Sequence, residues 1–381
     1  MTAFPSSAKA VVVGAGIVGN SMVHHLARLG WRDLVLLDKG ALPNPGGSTG
    51  HASNFIFPVD HSKEMTALTR DSTDQYIELG VHTVSGGIEV ARSQERLEEF
   101  NRRMTSSISW GEPSELLTPA QVKELVPYIN EEIILGGFYT PGVGCVDSLR
   151  AGTLMRESAT ALGALTISAG TEVTGIDVEN GRVTGVQTNR GRIACGTVIS
   201  CVAGWSTLVC DMVDVPLPIT THILQACVTE PVKPLLDKII VSGTLHIYIS
   251  QSDRGEFVMG SEIEPYSGYS TKSTFRFIED LAMHMIELLP MLGHAKILRQ
   301  WTGLCDVSPD YSPIMGLTEV EGFVIDAGWG TYGFKASPIV GYTLADLVGT
   351  GTTPDLIHPF RLARFYEDEL VSERGAAAVS H

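Results

Sequence analysis

Lys9-Ala10-Val11-Val12-Val13-Gly14-Ala15-Gly16-Ile17-Val18-Gly19 is a short, largely β-branched run that stops at a glycine loop. Side chains of this kind fill both faces of a buried strand, so the run predicts a strand that feeds the chain straight into the loop. Past the loop, Val18, Met22, Leu26 and Leu29 recur at helical spacing and predict the apolar face of a helix ending near Gly30. Leu34-Val35-Leu36-Leu37 predicts a second buried strand closing at Asp38, which completes a strand–helix–strand unit of about thirty residues.

In a Gly-x-Gly-x-x-Gly loop the first glycine makes the turn, the second lets backbone approach a pyrophosphate, and the third lets helix and strand pack closely. Gly14, Gly16 and Gly19 hold those places, and Asp38 stands where a carboxylate accepts both ribose hydroxyls. Strand, loop, helix and acid in this order predict a dinucleotide site. The loop alone does not separate NAD from FAD. A nicotinamide enzyme continues as alternating strands and helices. This chain instead inserts helical and loop sequence from about Met65 to Glu132, then returns with period-two runs at Glu172–Val178 and Arg182–Thr188 around Asn180-Gly181, a β-hairpin. That departure favours FAD.

Further on, Val198-Ile199-Ser200-Cys201-Val202 predicts a buried strand running into Ala203-Gly204-Trp205, and a mixed β-rich stretch covers roughly Pro216 to Gly260. Phe277, Leu281, Met285 and Leu288 predict a helix. Gly322-Phe323-Val324-Ile325-Asp326 predicts a strand feeding Gly328-Trp329-Gly330-Thr331-Tyr332-Gly333-Phe334-Lys335 and a helix from about Pro338 to Val348.

With about 150 residues per domain, 381 residues predict two domains or one two-lobed unit. The composition, 44% hydrophobic and 18% charged, is that of a globular chain and excludes a disordered or fibrous one. Forty-three acidic against 27 basic residues give a net charge of −16, which argues against nucleic acid or an anionic membrane as partner. The six cysteines form no Cys-x-x-Cys pair and read as thiols in a reducing compartment, not as a zinc or disulfide framework. His24-His25 has no ligand spacing, so no metal is expected. No run approaches the roughly 20 apolar residues of a membrane span and the N-terminus fits a signal peptide poorly, so the expected location is cytoplasmic.

On these residues the chain resembles the D-amino-acid-oxidase superfamily of flavoproteins, most closely the sarcosine and dimethylglycine oxidases and dehydrogenases. Gly46-Gly47-Ser48-Thr49-Gly50-His51-Ala52 resembles the dimethylglycine enzymes, in which a histidine at this place is joined covalently to the 8α-methyl of FAD. The C-terminal half looks like the β subunit of heterotetrameric sarcosine oxidase, through Thr221-His222-Ile223-Leu224-Gln225-Ala226, Ser250-Gln251-Ser252-Asp253-Arg254-Gly255-Glu256, the Gly328–Lys335 stretch and the tail Gly375-Ala376-Ala377-Ala378-Val379-Ser380-His381. The resemblance covers nearly the whole chain.

It implies an α/β fold with a discontinuous, Rossmann-like FAD domain of the glutathione-reductase type, built from 1–60, 140–210 and 306–381. A mixed-sheet substrate domain from 61–139 and 211–305 roofs the isoalloxazine. FAD is expected to meet Gly14, Gly16, Gly19, Asp38, Lys39, Ser48, His51 as covalent tether, Val173, Ala203, Gly204, Gly330, Thr331, Gly333, Phe334 and Lys335. The resemblance also implies that Lys335, just ahead of a helix N-terminus, holds the substrate carboxylate, with the helix end stabilising negative charge at N1 and O2 of reduced flavin. Tyr248 is the implied substrate-site tyrosine. His222 lies two residues before Leu224, which occupies the place of the family's active-site histidine. Two departures alter the inherited picture. Gly144-Cys145-Val146-Asp147 carries valine where the β subunit tethers FMN through histidine, so no covalent FMN is expected. The folate region of the dimethylglycine enzymes is not part of this sequence, so folate chemistry, if any, is expected to belong to a partner.

The implied reaction is oxidation of an N-methyl amino acid, sarcosine or dimethylglycine in type, by hydride transfer from the N-methyl carbon to flavin N5, yielding formaldehyde and the demethylated amine. Two alternatives stay open: oxidation at the α-carbon of proline, an opine or a D-amino acid, and a flavin-carrying electron-relay subunit of a larger complex. Partner subunits or an electron-acceptor protein belong to either picture.

Overall fold

A computed structural model describes residues 4–371, so the tail stretch Gly375–His381 lies outside the described residues. The glycine-loop unit forms as the sequence predicts: strand Ala10–Val13, helix Ile17–Arg28 and strand Leu34–Asp38. Six strands make one sheet in the order Ile314–Leu317, Phe323–Ala327, Val198–Ser200, Ala10–Val13, Leu34–Asp38, Leu165–Ala169. All pairs are parallel except the outermost, Ile314–Leu317 on Phe323–Ala327.

A parallel sheet is covered on both faces, and alternate side chains of a strand go to opposite layers. Val12, Leu34 and Leu36 pack with Met22, Leu26, Val340 and Leu344 of two helices. Val11, Val13, Val35 and Leu37 pack on the other side with Ile176, Val183, Val186 and Ile193. That second layer is an antiparallel sheet of Val173–Glu179, Arg182–Thr188 and Gly191–Ala194. Its hairpin pairs Glu179 with Arg182 across Asn180 (φ 52°) and Gly181 (φ 75°), the two left-handed residues that a tight type I′ turn requires. The first helix is covered almost all round, and the stripe read from sequence ends one residue early: Leu29 caps it and is 48% exposed.

The second lobe is an eight-stranded sheet in the order Ile297–Val307, Thr220–Thr229, Phe257–Ser267, Ile247–Gln251, Ile239–Ser242, Gly87–Ala91, Gly136–Thr140, Glu115–Leu117. It is mixed, Ile239–Ser242 lying parallel to Gly87–Ala91. Helix Phe275–Leu288 covers it through Phe277, Leu281, Met285 and Leu288, the residues its spacing predicts. The stretch Met65–Glu132, read as helix and loop, corrects: it also contains the strands His82–Val84, Gly87–Ala91 and Glu115–Leu117. Gly87–Ala91 is buried throughout, and its charged centre, Glu89, is neutralised by Arg96 and Arg103, which breaks the apolar run a strand search relies on.

The last long helix also differs from expectation. It runs Gly333–Thr350, with Pro338 inside. Pro338 has no amide to give the carbonyl of Phe334. The Tyr76 hydroxyl donates to that carbonyl instead, at 2.8 Å, and the displaced Ile339 amide donates to Ser72 Oγ at 3.2 Å. Helix Lys63–Glu78 thereby repairs the lesion and lets the helix begin five residues before the proline.

Candidate active site

A long cavity runs between the six-stranded sheet and the eight-stranded roof, with the glycine loop at one end and Tyr248 at the other. Gly14 (φ 101°) makes the turn, and a Cβ there would lie 2.3 Å from the Cys201 carbonyl oxygen. Gly19 is off the wall; a Cβ on it would lie 1.8 Å from the Gly14 carbonyl oxygen, so its role is close packing. Gly16 has an ordinary φ of −66°, and the nearest atom to an added Cβ is Thr49 Oγ1 at 3.2 Å, so its backbone faces open cavity. Helix Ile17–Arg28 starts there with no side-chain cap from Gly16 and no acid in its first turn. Thr49 accepts from the Ile17 amide at 2.9 Å. Asp38 accepts from the Ala15 and Gly40 amides, both at 2.7 Å, one on each oxygen, and each oxygen keeps lone-pair capacity for a ligand hydroxyl. Lys39 lies 3.8 Å over the Trp205 ring, and Val173 and Ala203 complete this end. Gly204 sits behind the wall, where a Cβ would meet Leu304 at 2.9 Å.

The second helix to reach the wall is Gly333–Thr350, also without side-chain cap or first-turn acid; the turn before it presents Gly330 and Thr331, and its own start presents Gly333 and Phe334. Asp306 holds the turn before it, accepting from the Gly328 amide on Oδ2 at 2.5 Å and from the Gly330 amide on its carbonyl at 2.7 Å. Burial pushes the Asp306 carboxyl up to about 6 although backbone amides pull it down. Asp326, accepting from the Trp329 indole at 2.9 Å, is raised well above the carboxylate range by burial.

On the roof, Tyr248 pairs across the sheet with Gly260 and makes a T-shaped contact with Phe55 at 5.5 Å; burial raises its hydroxyl. A Cβ on Gly260 would lie 2.1 Å from Tyr248 Oη, so only glycine leaves room for the ring. Gly260→Ala should therefore displace the phenol and, if Tyr248 bears on substrate, lower kcat/KM about 100-fold with flavin content retained. Unchanged kcat/KM would remove Tyr248 from the substrate site.

His51 lies on the wall with Nδ1 2.7 Å from the Gly47 carbonyl oxygen. A carbonyl only accepts, so Nδ1 carries the hydrogen and Nε2 keeps its lone pair. The Trp301 indole donates to the His51 carbonyl at 2.9 Å and Ser48 Oγ donates to the Leu304 carbonyl at 2.6 Å, strapping the loop to strand Ile297–Val307.

Besides Gly19 and Gly204, two more expected site residues, Lys335 and His222, lie off the wall. Because the helix begins at Gly333, Lys335 sits inside its first turn, off the wall and buried, with Nζ paired to Asp60 and 4.5 Å from the Tyr332 ring centre. Burial opposes the Asp60 charge, but Lys335 and then His61 hold the carboxyl well below the usual range. His61 continues the line, with Nδ1 at 2.8 Å from Asp60 and Nε2 at 3.2 Å from Ser312 Oγ; Ser312 bonds to Asp310, which pairs with the buried Arg364 at 2.8 Å. The lysine is thus one end of a buried polar chain. His222 is likewise off the wall, its ring held by the Glu264 carbonyl at 2.9 Å and Thr220 Oγ1 at 3.0 Å, whereas Leu224 is on it. His24 and His25 are buried in the first helix, and burial followed by the His24 charge lowers His25 to about 4.

Wall residues the sequence reading passed over are Thr49, Trp205, Asp306, Asp326, His246 and Glu262. Thr49, Trp205 and Asp326 stood inside quoted stretches; His246, in the turn before strand Ile247–Gln251, meets Glu262 only because that strand pairs with Phe257–Ser267, which no local spacing reveals.

Two glycine-led helix N-termini, a carboxylate at the end of the second strand and a cavity between two sheets define a two-lobed dinucleotide-binding protein. Residues 9–347 match the family of FAD dependent oxidoreductases called DAO, and the chain belongs to that family. Its cofactor is FAD, and the first-turn amides beyond Ile17, the open face of Gly16 and the free capacity of Asp38 fit it. The chain is 34% identical to sarcosine oxidase subunit beta of Rhodobacter capsulatus, over 97% of this chain and 92% of that protein. It is 29% identical to human mitochondrial sarcosine dehydrogenase, over 95% of this chain and 42% of that longer protein. Among solved structures, L-proline dehydrogenase from P. horikoshii superposes with a TM-score of 0.89 at 27% identity, over 97% of this chain and all of the other. No helix among the described residues is long and apolar enough to cross a membrane.

Proposed function

We propose that the protein oxidises an N-methylated amino acid of the sarcosine or dimethylglycine type at its N-methyl carbon, giving formaldehyde and the demethylated amine. The observation that carries the reading is the near full-length similarity to sarcosine oxidase subunit beta. FAD, when bound, supplies the two-electron chemistry. The chain's own residues do the rest. The first-turn amides after Gly16 receive the pyrophosphate and Asp38 the ribose. The start of helix Gly333–Thr350 favours negative charge at the pyrimidine end of the flavin. Leu224, Val241 and Ile263 keep the roof apolar and exclude water, with Tyr248 beside the substrate.

His51 Nε2 is the group we assign to the covalent bond with the 8α carbon. Val146 packs in the core among Ile56, Tyr76 and Met155, which supports a single flavin. The FAD lobe is drawn as 1–60, 140–210 and 306–381 and the substrate lobe as 61–139 and 211–305, in a cytoplasmic enzyme that works with partner subunits. Turnover of sarcosine and dimethylglycine with an artificial electron acceptor, followed by formaldehyde, tests the reading. Turnover of either substrate without formaldehyde would overturn it. The likeness to L-proline dehydrogenase supports a second reading, oxidation at the α-carbon, in which proline is consumed and no formaldehyde appears.

A further inference from the structure

We infer that His246, backed by Glu262, is the anchor for the substrate's carboxylate. The inference deepens the proposed function and rests on it. An amino acid held in a cavity needs a cationic or N–H donor for its carboxylate, and the other candidates are committed. Lys335 is paired with Asp60. Lys39 lies over Trp205 beside the glycine loop, and His51 turns Nδ1 to Gly47. Arg96, beneath Gly243, is bound by Glu89 and Glu99.

His246 remains, on the same roof as Tyr248, two residues away. Its backbone is left-handed at φ 54°, a conformation uncommon for a side-chain-bearing residue and concentrated at functional turns. Nδ1 lies 2.8 Å from Glu262 Oε2 but is not aligned as a hydrogen bond, and among the described residues the ring makes no other polar contact, which leaves Nε2 without a protein partner. Glu262 therefore stands behind the ring without saturating it, and with a hydrogen on both ring nitrogens Nε2–H is the donor left for a ligand carboxylate. The two side chains are 38% and 42% exposed, so a solute reaches them.

The test uses flavin-loaded protein and two readouts. Acetate, a carboxylate without an amine, is titrated by calorimetry into wild type, His246→Gln, His246→Arg and Glu262→Gln; sarcosine kcat and KM are measured in parallel. His246→Gln should weaken acetate roughly 10-fold or more, the range for one charge-assisted hydrogen bond. The sarcosine penalty should fall on KM. His246→Arg should keep acetate binding, because guanidinium donates to carboxylates equally well, and Glu262→Gln should weaken it less than His246→Gln. Acetate that binds all four proteins alike, or does not bind wild type, overturns the assignment. A wild type that binds acetate through His246 yet oxidises no N-methyl amino acid sinks the proposed reaction and leaves the anchor standing.

Discussion

Gly16→Val should give a folded, colourless protein. The Gly16 backbone sits at φ −66°, which valine adopts without strain, and the nearest atom to its new Cβ is a threonine hydroxyl at 3.2 Å. The chain therefore admits the side chain once the Thr49 hydroxyl shifts by a few tenths of an ångström. The cofactor does not, because the branched group stands in front of the first-turn amides where a pyrophosphate must make contact. Flavin content of the purified variant should fall below about a tenth of wild type, with an unchanged far-UV circular dichroism spectrum. Gly19→Val makes the opposite contrast: its Cβ would collide with the Gly14 carbonyl at 1.8 Å, so that variant should fail to fold. A yellow, stoichiometric Gly16→Val protein would mean the loop serves packing alone.

The second large effect concerns the covalent bond proposed between His51 and the flavin. Wild-type protein precipitated with acid should keep its yellow colour in the pellet, while His51→Ala should release all of its FAD to the supernatant. The geometry makes this specific to one nitrogen, since the Gly47 carbonyl occupies Nδ1 and the Trp301 indole fixes the backbone on which the ring is mounted. Free FAD from acid-treated wild type would refute the tether while leaving family and fold intact. A pellet holding two flavins per chain would contradict the place given to Val146 in the core.

The parts of the fold written locally were legible. The glycine loop, its flanking strand and helix, and Asp38 each follow from neighbours within a few dozen residues, and Asn180-Gly181 dictates its turn by backbone sterics alone. What escaped depends on partners distant in the chain. Gly87–Ala91 carries a glutamate that two arginines neutralise only after folding. Pro338 reads as a helix start because the hydroxyl that excuses it belongs to Tyr76. That shift of the helix start carried Lys335 off the cavity wall and onto Asp60. His246 and Glu262 failed to register as a pair for the same reason: strand pairing, not spacing, sets them opposite each other.

Strand Ala10–Val13 lies between Leu34–Asp38 and Val198–Ser200, and Val198–Ser200 in turn lies against Phe323–Ala327. On the ribosome, the earliest strand must wait for a neighbour nearly two hundred residues downstream, and that neighbour waits for one more than a hundred further. Loop closure on that scale delays the central sheet until Phe323–Ala327 has been made. The helix bearing Gly333 emerges later still, with the Tyr76 hydroxyl already present to receive its broken turn. Cofactor capture consequently follows synthesis of helix Gly333–Thr350, and a nascent product that stops short of it lacks the second helix end on the cavity wall.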